Sequence, residues 1–145
     1  MFSENYSRQT ALASVEKALD PNLSDSELAS LARSEEAKVR AAVAQRSTMP
    51  LTTLLKLARD ESPTVRIGVA RNERTDMPVE LYEQLASDKV ADVVFALIEN
   101  PSVPDAIIAK LGRQFHKEYA SAARARLASK GGSAKVLGRL GLAAG

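Results

Sequence analysis

The residues of this chain that could carry chemistry fall into three sets: a lone histidine, a group of carboxylates near the middle, and a run of cations toward the C-terminal end. His116 is the only histidine and there is no cysteine among the 145 residues. Disulfides, thiol nucleophiles, thiolate metal sites, cysteine-ligated iron–sulfur clusters and imidazole-built zinc sites are therefore excluded within this sequence. A Ser-His-Asp triad would have to use His116, whose neighbours Phe115 and Lys117 suit a surface or packing histidine better. Gly131-Gly132 and Gly138-x-x-Gly141 match neither phosphate-binding glycine pattern and read as flexibility. No catalytic, cofactor-binding or metal-binding residue is assigned, and a non-enzymatic protein without a cofactor is expected.

Asp60-Glu61, Asp88 and Asp92 could in principle supply an acid/base pair. Their positions in turns favour another reading: each caps the helix that follows it or pairs with Arg40 or Arg66 of a neighbouring segment. Arg33, Arg59 and Arg113 each stand at the end of a helical pattern, where a cation complements the helix dipole. The cations Lys110, Arg113, Lys117, Arg124, Arg126, Lys130, Lys135 and Arg139 are less easily accounted for. Residues 1–109 carry 12 Lys+Arg against 17 Asp+Glu, a charge of −5, whereas residues 110–145 carry 8 against 1, a charge of +7. Uncompensated positive charge of this kind binds phosphates by releasing counterions, so these eight residues are the candidate nucleic-acid (DNA) contacts. Against this, aromatic interleaving is limited to Phe115 and Tyr119 and the body is acidic.

The elements that must position these residues are helices. Aromatic residues make up 4% of the chain and Trp is absent, while Ala and Leu are abundant, which favours an all-α protein packed through small side chains. Residues 3–19 read as a first helix with Leu12, Val15, Ala18 and Leu19 on one face. Ser24-Asp25-Ser26-Glu27 has the form of a capping box, so a helix should start there.

From that point the sequence repeats, with units beginning at Ser24, Pro50, Pro78 and Pro104. Apolar columns align across them: Leu28, Leu54, Tyr82 and Ile108; Leu31, Leu57, Leu85 and Leu111; Val39, Val65, Val93 and Tyr119; Val43, Val69, Leu97 and Ala123. Each unit thus holds two short amphipathic helical patterns, neither able to bury its apolar face alone, and stacking the units solves that. Pro50, Pro78 and Pro104 sit at helix starts, where a missing N–H costs nothing. Asn72 and Asn100 follow the second pattern, where Asn tolerates the left-handed conformation that ends helices. Met49 and Met77, one before each unit's proline, read as core staples.

After Gly112 the repeat fades. Residues 113–118 lack Pro and Gly, so one longer helix from about Pro104 or Arg113 to Ser129 is expected, with Phe115, Tyr119, Ala122 and Ala123 closing the stack. Lys130-Gly131-Gly132-Ser133 reads as a flexible joint and residues 134–145 as a glycine-broken amphipathic tail.

Segments such as PLTTLLKLARDESPTVRIGVARN and PVELYEQLASDKVADVVFALIENPSVP resemble the leucine-rich repeat variant family and, more distantly, HEAT repeats, over about residues 24–112. The resemblance implies a right-handed α-solenoid of short two-helix repeats. Members of that family can carry a cysteine-rich iron–sulfur module, which a chain without cysteine gives no ground to infer. The family's Val-Arg pair, present at Val39-Arg40 and Val65-Arg66, becomes Val93-Val94 and Tyr119-Ala120, so an arginine ladder would run through two units.

The organisation expected is a capping helix over 1–23, repeats over 24–112, a basic capping helix over 113–130 and a flexible basic tail over 131–145. The leading functional reading is a protein–protein interaction scaffold using the second helices, with Gln45, Arg71 and Glu99 as the candidate protein-binding column. The alternative is a nucleic-acid-binding protein using the basic C-terminus; self-association is a further option. A HEAT-like DNA-repair glycosylase fragment is disfavoured by the short length and lack of Trp. With no apolar stretch of about 18 residues and no signal-like N-terminus, a cytoplasmic location is the default.

Overall fold

A computed structural model describes residues 12–139, with side chains described through Ser129. Among the described residues the fold is all-helical, with nine helices and no strand. Residues 12–18 form α1; α2 (Asp25–Leu31), α3 (Ala37–Ala44), α4 (Leu51–Leu57), α5 (Pro63–Ala70), α6 (Val79–Ala86), α7 (Ala91–Glu99), α8 (Asp105–Gly112) and α9 (Ala120–Arg139) follow. The first helices of the repeating units are therefore α2, α4, α6 and α8, and the second helices are α3, α5, α7 and α9.

Local chemistry sets the helix starts. Ser24 Oγ accepts from the Glu27 N–H at 3.2 Å, as the capping box requires. Pro50, Pro78 and Pro104 cap α4, α6 and α8 at φ of −58°, −62° and −60°, values the pyrrolidine ring imposes in any case. Pro63 opens α5.

Each unit's two helices pack on each other, and the second helices also pack in series: α3 on α5, α5 on α7, α7 on α9, with α8 closing against α9. The aligned apolar columns supply the core. Leu28, Leu54, Tyr82 and Ile108 are buried, as are Val39, Val65, Val93 and Tyr119, and Val43, Val69, Leu97 and Ala123. In the remaining column Leu57, Leu85 and Leu111 are buried and Leu31 is half-buried. Met49, Met77 and Val103 lie buried just before each proline, as staples should. Gly68 marks a close crossing, because a Cβ there would stand 2.7 Å from the Ala41 carbonyl oxygen on α3.

Four expectations need correction. Asn100 ends α7 at φ −82° and ψ 113°, which is extended and not left-handed, because its side chain is committed elsewhere. The helix expected over 113–129 does not begin at Arg113: α8 ends at Gly112, residues 113–119 form turns, and α9 starts at Ala120. The break is held by the Tyr119 hydroxyl donating to Gln114 Oε1 at 2.9 Å and by Arg124 donating to the Gly112 carbonyl at 2.9 Å. Lys130-Gly131-Gly132-Ser133 is helical, part of α9, since a helix anchored by packed residues propagates through positions it would not nucleate from. On α1, Ala18 is buried and Val15 half-buried, but Leu12 is exposed, as is Leu19 in the turn that follows. The expectations for residues 1–11 and 140–145 lie outside the described residues.

The carbonyls at the C-terminal ends of the second helices lack intrahelical donors and are met from the following unit. Asn72 Nδ2 donates to the Ala44 and Arg46 carbonyls, both at 2.9 Å, and Asn100 Nδ2 donates to those of Ala70 at 2.9 Å and Asn72 at 2.7 Å. The Oδ1 of each accepts from the N–H two residues on, Arg74 at 3.1 Å and Ser102 at 2.9 Å. Arginine takes the same place at either end of the column: Arg46 Nη1 donates to the Ala18 carbonyl at 2.8 Å, and Arg126 Nη1 to those of Ile98 and Asn100 at 2.8 and 2.9 Å. Arg46 Nε is buried without a hydrogen-bond partner.

Two substitutions test this account. Asn100→Ala removes three hydrogen bonds and orphans two carbonyls, so it should lower unfolding free energy by about 2–4 kcal/mol, while neighbouring Glu99→Ala stays within about 0.5 kcal/mol. Denaturant titration of both variants checks the contrast. Gly68→Ala gains about 1 kcal/mol of helix propensity but forces a methyl onto the Ala41 carbonyl, for a net loss of about 1–2 kcal/mol in the same assay.

Candidate interaction surface

Two side-chain ladders define how the units present themselves. The second is ionic. Arg40 Nε and Nη2 donate to Asp60 at 2.9 and 3.1 Å, and Arg66 Nε and Nη2 donate to Asp88 at 2.7 and 3.3 Å. Each guanidinium also donates Nη1 to the inter-helix turn of its own unit, at the Ser34 and Asp60 carbonyls, both at 2.7 Å. The carboxylates in turn accept from backbone N–H groups two residues on, Ser62 and Val90, both at 2.9 Å. Asp60 and Asp88 are thus structural and not a free acid/base pair, and the ladder runs through two units. At the third rung Val94 and Gln114 stand in the Arg and Asp columns, and the junction is aromatic instead, with Phe95 and Tyr119 edge to face at 6.5 Å.

The Arg40 guanidinium is held above its ordinary range by its hydrogen bond to Asp60. For Asp60, burial opposes ionisation, but hydrogen bonds from Arg40 and the Ser62 N–H outweigh it and hold the carboxyl below the usual carboxylate range.

With their inner sides occupied, α3, α5 and α7 leave an outward stripe. Ile67 on α5 and Phe95 on α7 are half-buried and occupy equivalent places 28 residues apart. Beside them the column Gln45, Arg71 and Glu99 is exposed, each residue directly preceding a buried or half-buried member of the carbonyl-binding column: Arg46, Asn72 and Asn100. Neither Arg71 nor Glu99 makes an ion pair among the described residues.

The basic cluster is only partly assembled. Arg126 is not a free cation: its side chain is 12% exposed, its Nη2 donates to the Val103 carbonyl at 2.8 Å in addition to the two bonds from Nη1, and it stands 3.8 Å from Asp105. Arg124 lies over the Phe115 ring at 4.5 Å while bonding to Gly112. Lys110 pairs with Glu83 at 3.1 Å on the surface. Arg113 and Lys117 are exposed, but the turns at 113–119 remove the continuous helical face that would have aligned them with Arg124. Lys130, Lys135 and Arg139 belong to α9, and their side chains lie outside the described residues.

A shallow cavity of about 250 Å³ lies between the turns at 88–91 and 116–119, lined by Asp88, Lys89, Ala91, His116, Lys117, Glu118 and Tyr119. Asp88 is already tied to Arg66, and among the described residues His116 makes no hydrogen bond. Among the described residues no group of His, Cys, Asp and Glu is placed to hold a metal ion, and no helix is long and apolar enough to cross a membrane.

Sequence reasoning missed the roles of Arg46 and Arg126. The signal was present in their spacing from Asn72 and Asn100, which is that of the units, but an Arg in an Asn column reads as a lost repeat rather than a longer reach to the same carbonyls. Comparison with family models, with curated proteins and with solved structures found no match.

The depressed Asp60 carboxyl sets a pH dependence. Its stabilising contribution is present above the ordinary carboxylate pKa of about 4 and is lost as pH falls through the lower folded value. Asp60→Asn should therefore be less stable than the parent at neutral pH, with the difference shrinking below about pH 4, as measured by urea midpoints across that range.

Proposed function

We propose that the chain is a non-enzymatic, right-handed α-solenoid that serves as a protein–protein interaction scaffold, binding through the outward stripe of its second helices. The solenoid reading rests on the resemblance to leucine-rich variant repeats together with the serial packing of α3, α5, α7 and α9. The observation that carries the binding reading is the segregation of residues on those helices. Inward and lateral positions make the core and both ladders, while Gln45, Arg71 and Glu99 are exposed and take part in neither; beside them Ile67 and Phe95 are half-buried against the core, Phe95 also packing edge to face on Tyr119. Half-buried apolar centres flanked by exposed polar columns have the composition of an interface core with its rim.

Nucleic acid is the weaker reading, because Arg126 and Arg124 serve the fold and Lys110 has an acidic partner. The proposal keeps the cytoplasmic location expected from the sequence.

A photo-reactive amino acid installed at Phe95 or Arg71 should crosslink to a discrete protein species, whether another chain or a second copy. The same group at Leu55 or Val79, exposed positions on first helices, should not. Equal labelling from both faces, or none from Phe95 and Arg71, overturns the reading.

A further inference from the structure

The charges of the outward stripe are complementary to themselves under the unit spacing. Units two and three are equivalent under a shift of 28 residues, because Asn72 and Asn100 make the same bonds to carbonyls at the same places in the preceding unit. Under that shift Arg71 corresponds to Glu99, Glu61 to Lys89 and Ile67 to Phe95. Four of these six are exposed charges, and the two central ones are half-buried and apolar.

A two-fold axis parallel to the second helices, passing between α5 and α7, would lay one copy face down on another and exchange unit two for unit three. Arg71 then meets Glu99 of the second copy, Glu61 meets Lys89, and Ile67 meets Phe95, each pair occurring twice. This is the pattern of a closed isologous interface. A stripe that opposed like charges at these places would be repelled. We propose that the partner of this surface is a second copy of the chain, in this two-fold arrangement; the inference rests on the binding reading above and names its occupant.

The size of the surface bounds the strength. The three helices of the stripe, α3, α5 and α7, each about 12 Å long and spaced roughly 9 Å apart, offer on the order of 300 Å² in projection. That is below the ~800 Å² per partner of standard stable complexes, so the dimer belongs to the weak class. Screening by salt should weaken it further.

Sedimentation equilibrium of the full chain over the micromolar range, at low salt, should show a monomer–dimer equilibrium that shifts toward monomer as salt is added. Arg71→Glu and Glu99→Arg should each weaken association by about tenfold or more, since each places like charges at two sites of the interface. The double variant should return to within about threefold of the parent, because the pairs are re-formed with reversed sign. Unchanged thermal melts would show that these exposed substitutions leave the fold intact. A chain that stays monomeric throughout, a dimer indifferent to both single substitutions, or a double variant no better than the singles overturns the proposal. Crosslinking from Phe95 to a different protein would still uphold the binding reading, so the two can fail separately.

Discussion

A buried side chain that reaches across to the backbone of the preceding unit is the contact on which the rest of the structure depends. Short helices leave a large fraction of their carbonyls without donors, and helices of seven to nine residues, packed in series, bury some of them. An unmet carbonyl in such a place costs as much as a lost hydrogen bond or more. One amide at Asn72 or Asn100 meets two carbonyls and fixes its own turn through Oδ1, so the same residue caps one unit and starts the loop of the next. That reciprocity sets the register between units more sharply than apolar contact, which is non-directional.

The ionic ladder is a second constraint of the same kind, on the opposite ends of the same helices. Arg40 and Arg66 each bind the turn of their own unit and the Asp of the next. Most of this fold was legible in the sequence because it is periodic: the apolar columns, the helix-start prolines and the Arg–Asp pairing all recur at the unit spacing. What was not legible lies where the period breaks. Residues 113–118 contain no Pro or Gly, and the helix ends there in a series of backbone turn bonds together with the side-chain bonds of Tyr119 and Arg124. The left-handed assignment at Asn100 failed for a related reason. Local propensity describes what Asn tolerates, whereas the partner carbonyls of the preceding unit decide what it does.

The same break redirects the basic C-terminal residues. Once Val94 replaces the arginine of the third rung, α9 docks through aromatic and arginine contacts, and cations that a composition count treats as surplus become bonds to carbonyls and a ring. A run of Lys and Arg in sequence is therefore a poor measure of free positive charge at the end of a stack, where exposed carbonyls compete with phosphates for the same guanidinium groups.

The exposure of the column Gln45, Arg71 and Glu99 was legible for a reason that says nothing of its identity. Gln45, Arg71 and Glu99 each precede a member of the carbonyl-binding column, so the geometry that drives one side chain inward turns its neighbour outward. Position in the unit thus predicts exposure without reference to identity. Identity is what varies along the column, from amide to cation to anion, while the inner column keeps to Asn and Arg throughout. Residues under a packing constraint repeat and residues free of it do not, and the departure from repetition along Gln45, Arg71 and Glu99 gives this exposed column a charge that changes from unit to unit.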